Sequence, residues 1–461
     1  MQAFFMQGIG KGEVMSHAER NASHSQDKIE GETMNTMTFS DALVALGQRK
    51  EKHATFQLRS SSRLRALRNA GTSHIYADTA DIHELQDLVA TGKEAIWEEI
   101  DGNTANQPLV KKVIEAYVEE GDPSGWVEEL GSFRKGLSLQ DLFPLLYAIV
   151  CGRIGNDFTR FFASGRAWEV SLQLHMKLME DSTAAKQVAL DLRRMVSSAF
   201  VKVPFIPHLP SCVLVARDLV RKGIPVNFTS TFSARQVVMG ALLGNVTRTN
   251  IFMGRLDQGL QAEFVGAHVV LEAQRHLLDL RDKAGVNTQL IVASMREGKS
   301  FLETAGCDVY TAPCKVVQEF LNQTEDATEQ IPSQLETSYE NRLGISPAVL
   351  TKIGQERIAR LYRVEPEFRE FLVEYRATKE YQQLQDEEVL VKRFDQAGFK
   401  DIFYTPKTRE WEDIGRSKVP DLDASITTQL PLDTLYTLMA DADFEKHQEE
   451  MDRMLEEKLA R

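Results

Sequence analysis

Ala199-Phe-Val-Lys-Val-Pro204 is an apolar, β-prone run with a single lysine at its centre. On an edge strand such a lysine would point into water. In a parallel sheet both faces are covered, and a buried, unpaired ammonium is costly. Desolvation lowers an amine's pKa and frees its lone pair to attack a carbonyl. Lys202 is therefore either a solvated edge residue or a nucleophile, and its surroundings have to choose between the two.

Working outward, seven further β-prone segments stand at His74–Asp78, Trp97–Asp101, Arg166–Ser171, Pro225–Thr229, Thr249–Met253, Gln289–Ser294 and Asp308–Ala312. Amphipathic stretches separate most of them, such as Ser211–Lys222, Ala234–Leu243 and Phe301–Ala305. Strands alternating with helices imply a parallel sheet covered by helices. Eight such units over roughly 250 residues favour closure into an α/β (β/α)8 TIM barrel. The long stretch between Asp101 and Arg166 leaves room for extra helices.

The barrel is expected over 71–325. Residues 1–37 are polar and aperiodic and read as a flexible N-terminal extension. They contain Gly8-Ile-Gly-Lys-Gly12, but no strand precedes it and no good helix follows, so a phosphate loop is not expected. Residues 38–70 read as an N-terminal helical segment, with Ser40 and Asp41 at its cap. Residues 326–461 read as a helical C-terminal extension. It begins with a polar linker, continues with helical patterns over Pro347–Gln385 and ends in a charged helix over Leu432–Leu459. That last helix suits either pairing in a homodimer or folding back on the barrel.

The 461-residue chain carries a net charge of −13. An acidic balance argues against a nucleic-acid partner, whose binding surface is usually basic. The four cysteines, Cys151, Cys212, Cys307 and Cys314, have neither zinc-site nor redox spacing and are too few for a disulfide scaffold. A reducing, cytoplasmic setting follows as the expectation. The longest apolar run, near Leu142–Cys151, is too short to span a bilayer, and no secretory signal is expected at the N-terminus.

Catalytic groups of such barrels project from the C-terminal ends of the strands. The polar residues there are Asp78, Thr104, Asn106, Glu169, Lys202, Asn227, Thr229, Asn250, Arg255, Ser294 and Arg296. Two acids with one amine is what imine chemistry needs: one moves protons during dehydration, another accepts a hydroxyl proton as a C–C bond breaks. Ion pairing with Lys202 or an arginine would explain Asp78 and Glu169 equally well. Guanidinium forks such as Arg255 and Arg296 suit phosphate.

These residues resemble the transaldolase family. Ile75-Tyr-Ala-Asp-Thr-Ala-Asp81 is similar to that family's first-strand motif, Trp168-Glu-Val-Ser171 to the third, and Phe200-Val-Lys-Val-Pro204 to the fourth. Gly223-Ile-Pro-Val-Asn-Phe-Thr229 with Phe232-Ser233, Phe252-Met-Gly-Arg255, and Ala293-Ser-Met-Arg296 continue the match in order. Ala305-Gly-Cys-Asp308 and Thr311-Ala-Pro313 close it. Two positions depart: Thr104-Ala-Asn-Gln-Pro108 replaces the family's Thr-Thr-Asn-Pro-Ser, and Asn250 stands where a small residue is usual.

The resemblance implies a Schiff base on Lys202 and transfer of a dihydroxyacetone unit from a ketose phosphate to an aldose phosphate, as in the pentose phosphate pathway. It casts Asp78 as the base at the C4 hydroxyl, and Glu169 with a water near Thr229 as the proton relay. Thr104, Asn106, Asn227 and Asn250 would contact the sugar, and Arg255, Ser294 and Arg296 its phosphate. The imine is the electron sink, so neither a metal nor an organic cofactor is implied. Two alternatives stay open: an aldolase that releases dihydroxyacetone, similar to fructose-6-phosphate aldolase, and a non-catalytic binding barrel.

Overall fold

The computed structural model describes residues 37–48, 62–91, 99–162, 167–323, 330–416, 419 and 430–460. The expectations for 1–36 lie outside the described residues. Thr38–Arg461 form one compact unit.

Eight strands close into a barrel in chain order, each parallel to its neighbours. They are β1 (His74–Asp78), β2 (Gly102–Thr104), β3 (Glu169–Gln173), β4 (Ala199–Pro204), β5 (Val226–Thr229), β6 (Arg248–Phe252), β7 (Gln289–Ala293) and β8 (Val309–Ala312). Every residue of β2, β4, β5, β6 and β8 is buried. Such burial on both faces is what a closed parallel sheet imposes, and it removes Lys202 from water along with Val201 and Val203.

Two strands differ from the sequence expectation. The second lies at Gly102–Thr104, after the expected Trp97–Asp101. Asp101 instead anchors the strand entrance: its carboxylate accepts the Ile75 N–H at 2.8 Å and pairs with Arg68. Gly102 is required where the strands approach, because a Cβ there would lie 1.9 Å from the Glu169 carbonyl oxygen. The third strand runs over Glu169–Gln173 where Arg166–Ser171 was expected, since the buried run continues through Leu172 and Leu174. Glu169 thus opens β3, at the opposite end from the one expected.

Extra helices do fill the long connection between β2 and β3, at Gln107–Gly121, Pro123–Phe133 and Leu139–Phe162. Among the described residues, the N-terminal segment contains two helices, Phe39–Gly47 and Ser62–Asn69. The first is capped by Thr38 with Asp41 in a reciprocal capping box; Ser40 bonds to Asp191 instead. All four cysteines are buried and unpaired. Among the described residues, no helix is long and apolar enough to cross a membrane.

The C-terminal segment returns to the barrel through short helices and ends in Leu432–Leu459. Arg217, on the helix after β4, donates to the carbonyls of Tyr381 and Leu384 at 2.8 and 2.6 Å. The final helix is tied at both ends. Near its start, Asp433 accepts from Arg235 at 2.6 and 2.8 Å and from Ser233 at 2.7 Å. There too Tyr436 reaches the Leu256 carbonyl at 3.2 Å and Thr437 that of Ser230 at 3.1 Å. Near its end, Asp452 meets His175 at 3.0 Å and Lys177 at 3.3 Å, while Glu450 pairs with Lys111. The first group of partners follows β5 and β6; the second follows β2 and β3. The helix therefore spans the barrel mouth on the C-terminal side.

Arg235 and Asp433 are both almost fully buried. Removing one partner of a buried pair leaves an uncompensated charge, at a cost of about 3–5 kcal/mol. Asp433→Ala is expected to destabilise the folded chain by about 3 kcal/mol, read as a lower midpoint in urea unfolding.

Candidate active site

Nine of the polar residues expected at strand ends line one cavity: Asp78, Thr104, Asn106, Lys202, Asn227, Asn250, Arg255, Ser294 and Arg296. It is small, about 70 Å3, and Phe252, Ala293, Thr311 and Phe444 complete its wall. Larger depressions exist, of about 370 Å3 around Ile82 and Tyr117 and about 490 Å3 around Gln258 and Lys299, but neither contains Lys202. Among the described residues, no group of three His, Cys, Asp or Glu side chains is arranged to hold a metal.

Lys202 is only 3% exposed, and its Nζ donates to the Ala105 carbonyl at 3.1 Å. Burial pulls the amine's pKa down to about 8, with the charge of Asp78 opposing the shift. At neutral pH a pKa of 8 leaves roughly a tenth of the amine unprotonated, against well under a thousandth at the ordinary lysine value. Asp78 accepts the Thr104 hydroxyl at 2.7 Å, and Thr104 is in turn 2.6 Å from the Thr311 hydroxyl. The Asp78 carboxylate is thereby oriented beside the amine.

Asn106 caps the helix Gln107–Gly121 with its side-chain oxygen, taking the Leu109 N–H at 3.1 Å. That leaves its amide NH2 as the group free to donate. Asn250 donates to the Thr229 hydroxyl at 2.8 Å, and Thr229 itself does not line the cavity. The buried oxygens of Asn227, Asn250 and Ser294 have no hydrogen-bond partner, so the site holds acceptors available to a polyhydroxylated ligand. Ser294 also sits at φ 61°, a left-handed conformation unusual for a side-chain-bearing residue and of a kind concentrated at ligand sites. Arg296 lies near both Arg255 and Asp78; burial and then the Arg255 charge push its pKa down.

Glu169 does not join this cluster. It pairs with Arg248 at 2.8 Å and accepts the Tyr76 hydroxyl. Arg248 is 4.2 Å from the Phe200 ring centre and 5.1 Å from that of Tyr76, and it also donates to Gln289 at 3.1 Å. Burial pushes the Glu169 carboxyl up, but Arg248 and the Tyr76 hydroxyl outweigh it and leave the pKa below normal. This is a partly buried ion-pair network near the strand entrances, outside the cavity that holds Lys202.

The residue in register with Lys202 on β3 is Gln173. Registered partners in a parallel sheet share a face, so Gln173 faces the barrel interior with the amine. It is buried, and its Oε1 has no partner. Glu169 and Gln173 share that face but are four residues apart, about 13 Å along the strand. Sequence reading chose Glu169 for its carboxylate; the alternation that marks inward residues gave Gln173 an equal claim. Thr311, Phe252 and Phe444 were also missed, the last because it comes from the C-terminal helix.

A family model described as Transaldolase/Fructose-6-phosphate aldolase matches residues 75–360. The chain belongs to this family. A probable transaldolase of Coprothermobacter proteolyticus is 30% identical over 246 residues, covering 53% of this chain and 87% of the relative. A probable transaldolase of Novosphingobium aromaticivorans is 27% identical, covering 53% and 86%. One from Rhodospirillum centenum is 25% identical over 287 residues, covering 61% and 98%. The family match takes in all eight strands but for the first residue of β1, and it stops before the helix Leu432–Leu459 that supplies Phe444.

The two β3 positions predict opposite phenotypes. Glu169→Gln strands the Arg248 charge and is expected to lower stability by about 2 kcal/mol, less than a fully buried pair because Glu169 is 27% exposed. It should leave the rate of borohydride trapping with a ketose phosphate unchanged. Gln173→Ala should instead slow that trapping on the order of tenfold with little loss of stability. Urea unfolding beside borohydride trapping rates separates them.

Proposed function

We propose that this chain forms a Schiff base between Lys202 and a ketose phosphate and transfers a dihydroxyacetone unit to an aldose phosphate. The observation that carries the reading is the buried Lys202 amine, its pKa drawn down to about 8, in a cavity that also holds Asp78 and two arginines.

Neutral Lys202 attacks the C2 carbonyl. The carbinolamine loses water as protons pass through a water held between Thr229 and the Gln173 amide, the position that faces the amine in place of Glu169. An amide cannot carry the proton, so it positions the water. Asp78 accepts the C4 hydroxyl proton while the C3–C4 bond breaks, and the released electron pair is taken up by the iminium as an enamine. Asn106 and Asn227 hold the hydroxyls of the retained three-carbon unit. Arg255, Arg296 and Ser294 hold the phosphate, so binding energy far from the reacting carbons favours the transition state. The acceptor aldose enters by the same route and the steps reverse.

Borohydride trapping with fructose 6-phosphate tests this directly. A single adduct is expected on Lys202, absent in Lys202→Ala. Its rate of formation should rise tenfold per pH unit and level off near pH 8, where the amine is half neutral. No adduct, or an inflection near the ordinary lysine value, overturns the reading. A product assay with and without an acceptor aldose distinguishes transfer from release of dihydroxyacetone.

A further inference from the structure

The helix Leu432–Leu459 places an acid on the site's own arginine. Arg255 donates to Asp443 at 2.8 Å, and its guanidinium lies 5.6 Å from the Phe252 ring centre and 5.5 Å from that of Phe444. The rings restrict the guanidinium, and Phe444 lines the same cavity as Lys202. Carboxylate and phosphate engage a guanidinium through the same N–H donors. A phosphate arriving at Arg255 therefore meets a carboxylate already bonded to it. It must either take that donor or sit beside a like charge.

We propose that Asp443 is a specificity-determining residue: it competes with the substrate's phosphate for Arg255 and lowers the preference for phosphorylated over unphosphorylated sugars. The ion pair is built to yield. Its side chains are 27% and 37% exposed, and pairs of that kind are weak. The helix is held by its two ends, through Asp433 and Asp452, so the pair is not needed to keep it across the barrel mouth. Asp443 also faces His447, whose Nδ1 is 3.5 Å from its carboxylate and 2.7 Å from its carbonyl oxygen. His447 thus bonds the backbone carbonyl of Asp443 rather than its carboxylate, and Arg255 is the hydrogen-bond partner of that carboxylate among the described residues.

The choice of sugars rests on the aldol reading above; the competition for phosphate does not. The first measurement is accordingly calorimetric titration of inorganic phosphate into the full chain, its Asp443→Asn variant and its Arg255→Ala variant. Asp443→Asn is nearly isosteric and leaves the end anchors in place; Asp443→Ser serves as a second variant. Phosphate is expected to bind the Asp443 variants about fivefold more tightly than the parent, and Arg255→Ala more weakly. Equal or weaker binding to both Asp443 variants overturns the proposal, because Asp443 would then merely orient Arg255. Undetectable binding in every protein overturns it as well. In turnover, the ratio of KM for fructose 6-phosphate to KM for fructose should fall in Asp443→Asn. Tighter phosphate binding with no borohydride adduct on Lys202 would remove the aldol reading and leave the competition standing. An adduct with unaltered phosphate binding would do the reverse.

Discussion

An amine buried inside a closed ring of strands organises this molecule. Water would keep Lys202 protonated; the barrel wall excludes water and draws the pKa down to about 8. That shift is available only because no strand of the ring has a free edge: β1 pairs with β8 as well as with β2. Desolvation is the larger influence, and the neighbouring Asp78 only moderates it. The cavity follows from the same closure, since groups on six strands can approach one amine only if the sheet curves back on itself.

The barrel interior uses charge twice, for different ends. At the strand entrances Glu169, Arg248 and Tyr76 satisfy one another, and Arg248 is further held against Phe200. In the cavity above, Asn227, Asn250 and Ser294 keep acceptor oxygens without partners, and Arg296 remains close to a second arginine. A satisfied network rigidifies; an unsatisfied one recognises. The two differ by about four residues along a strand, so layer position rather than residue type sets the role.

Across the mouth, the last helix of the chain both closes and qualifies the site. Its ends are held by Asp433 on Arg235 and Asp452 on His175, and its middle presents Phe444 and Asp443 to Arg255. The family match ends well before this helix, so Phe444 and Asp443 lie outside the matched part of the chain. A cavity of about 70 Å3 with a carboxylate on its rim is a more guarded site than the strand-end residues alone describe.

Much of this was readable from the chain alone. Strand and helix alternate visibly, and the residues at the strand ends are local to their motifs, so Lys202, Asp78, Thr104, Asn106, Asn227, Asn250, Arg255, Ser294 and Arg296 could be named before any contact was known. Two features could not. Glu169 and Gln173 lie on the same face of β3, and only pairing with β4 tells which one stands beside Lys202; Gly102 admits Glu169 at the strand entrance because it has no side chain. Asp443 reaches Arg255 across 188 positions of sequence, a separation over which no periodicity or propensity carries information. Local patterns determine which segments become strands and which polar groups end them. Register and the packing of distant helices, set by barrel closure and by which side chains fit together, determine what those groups face.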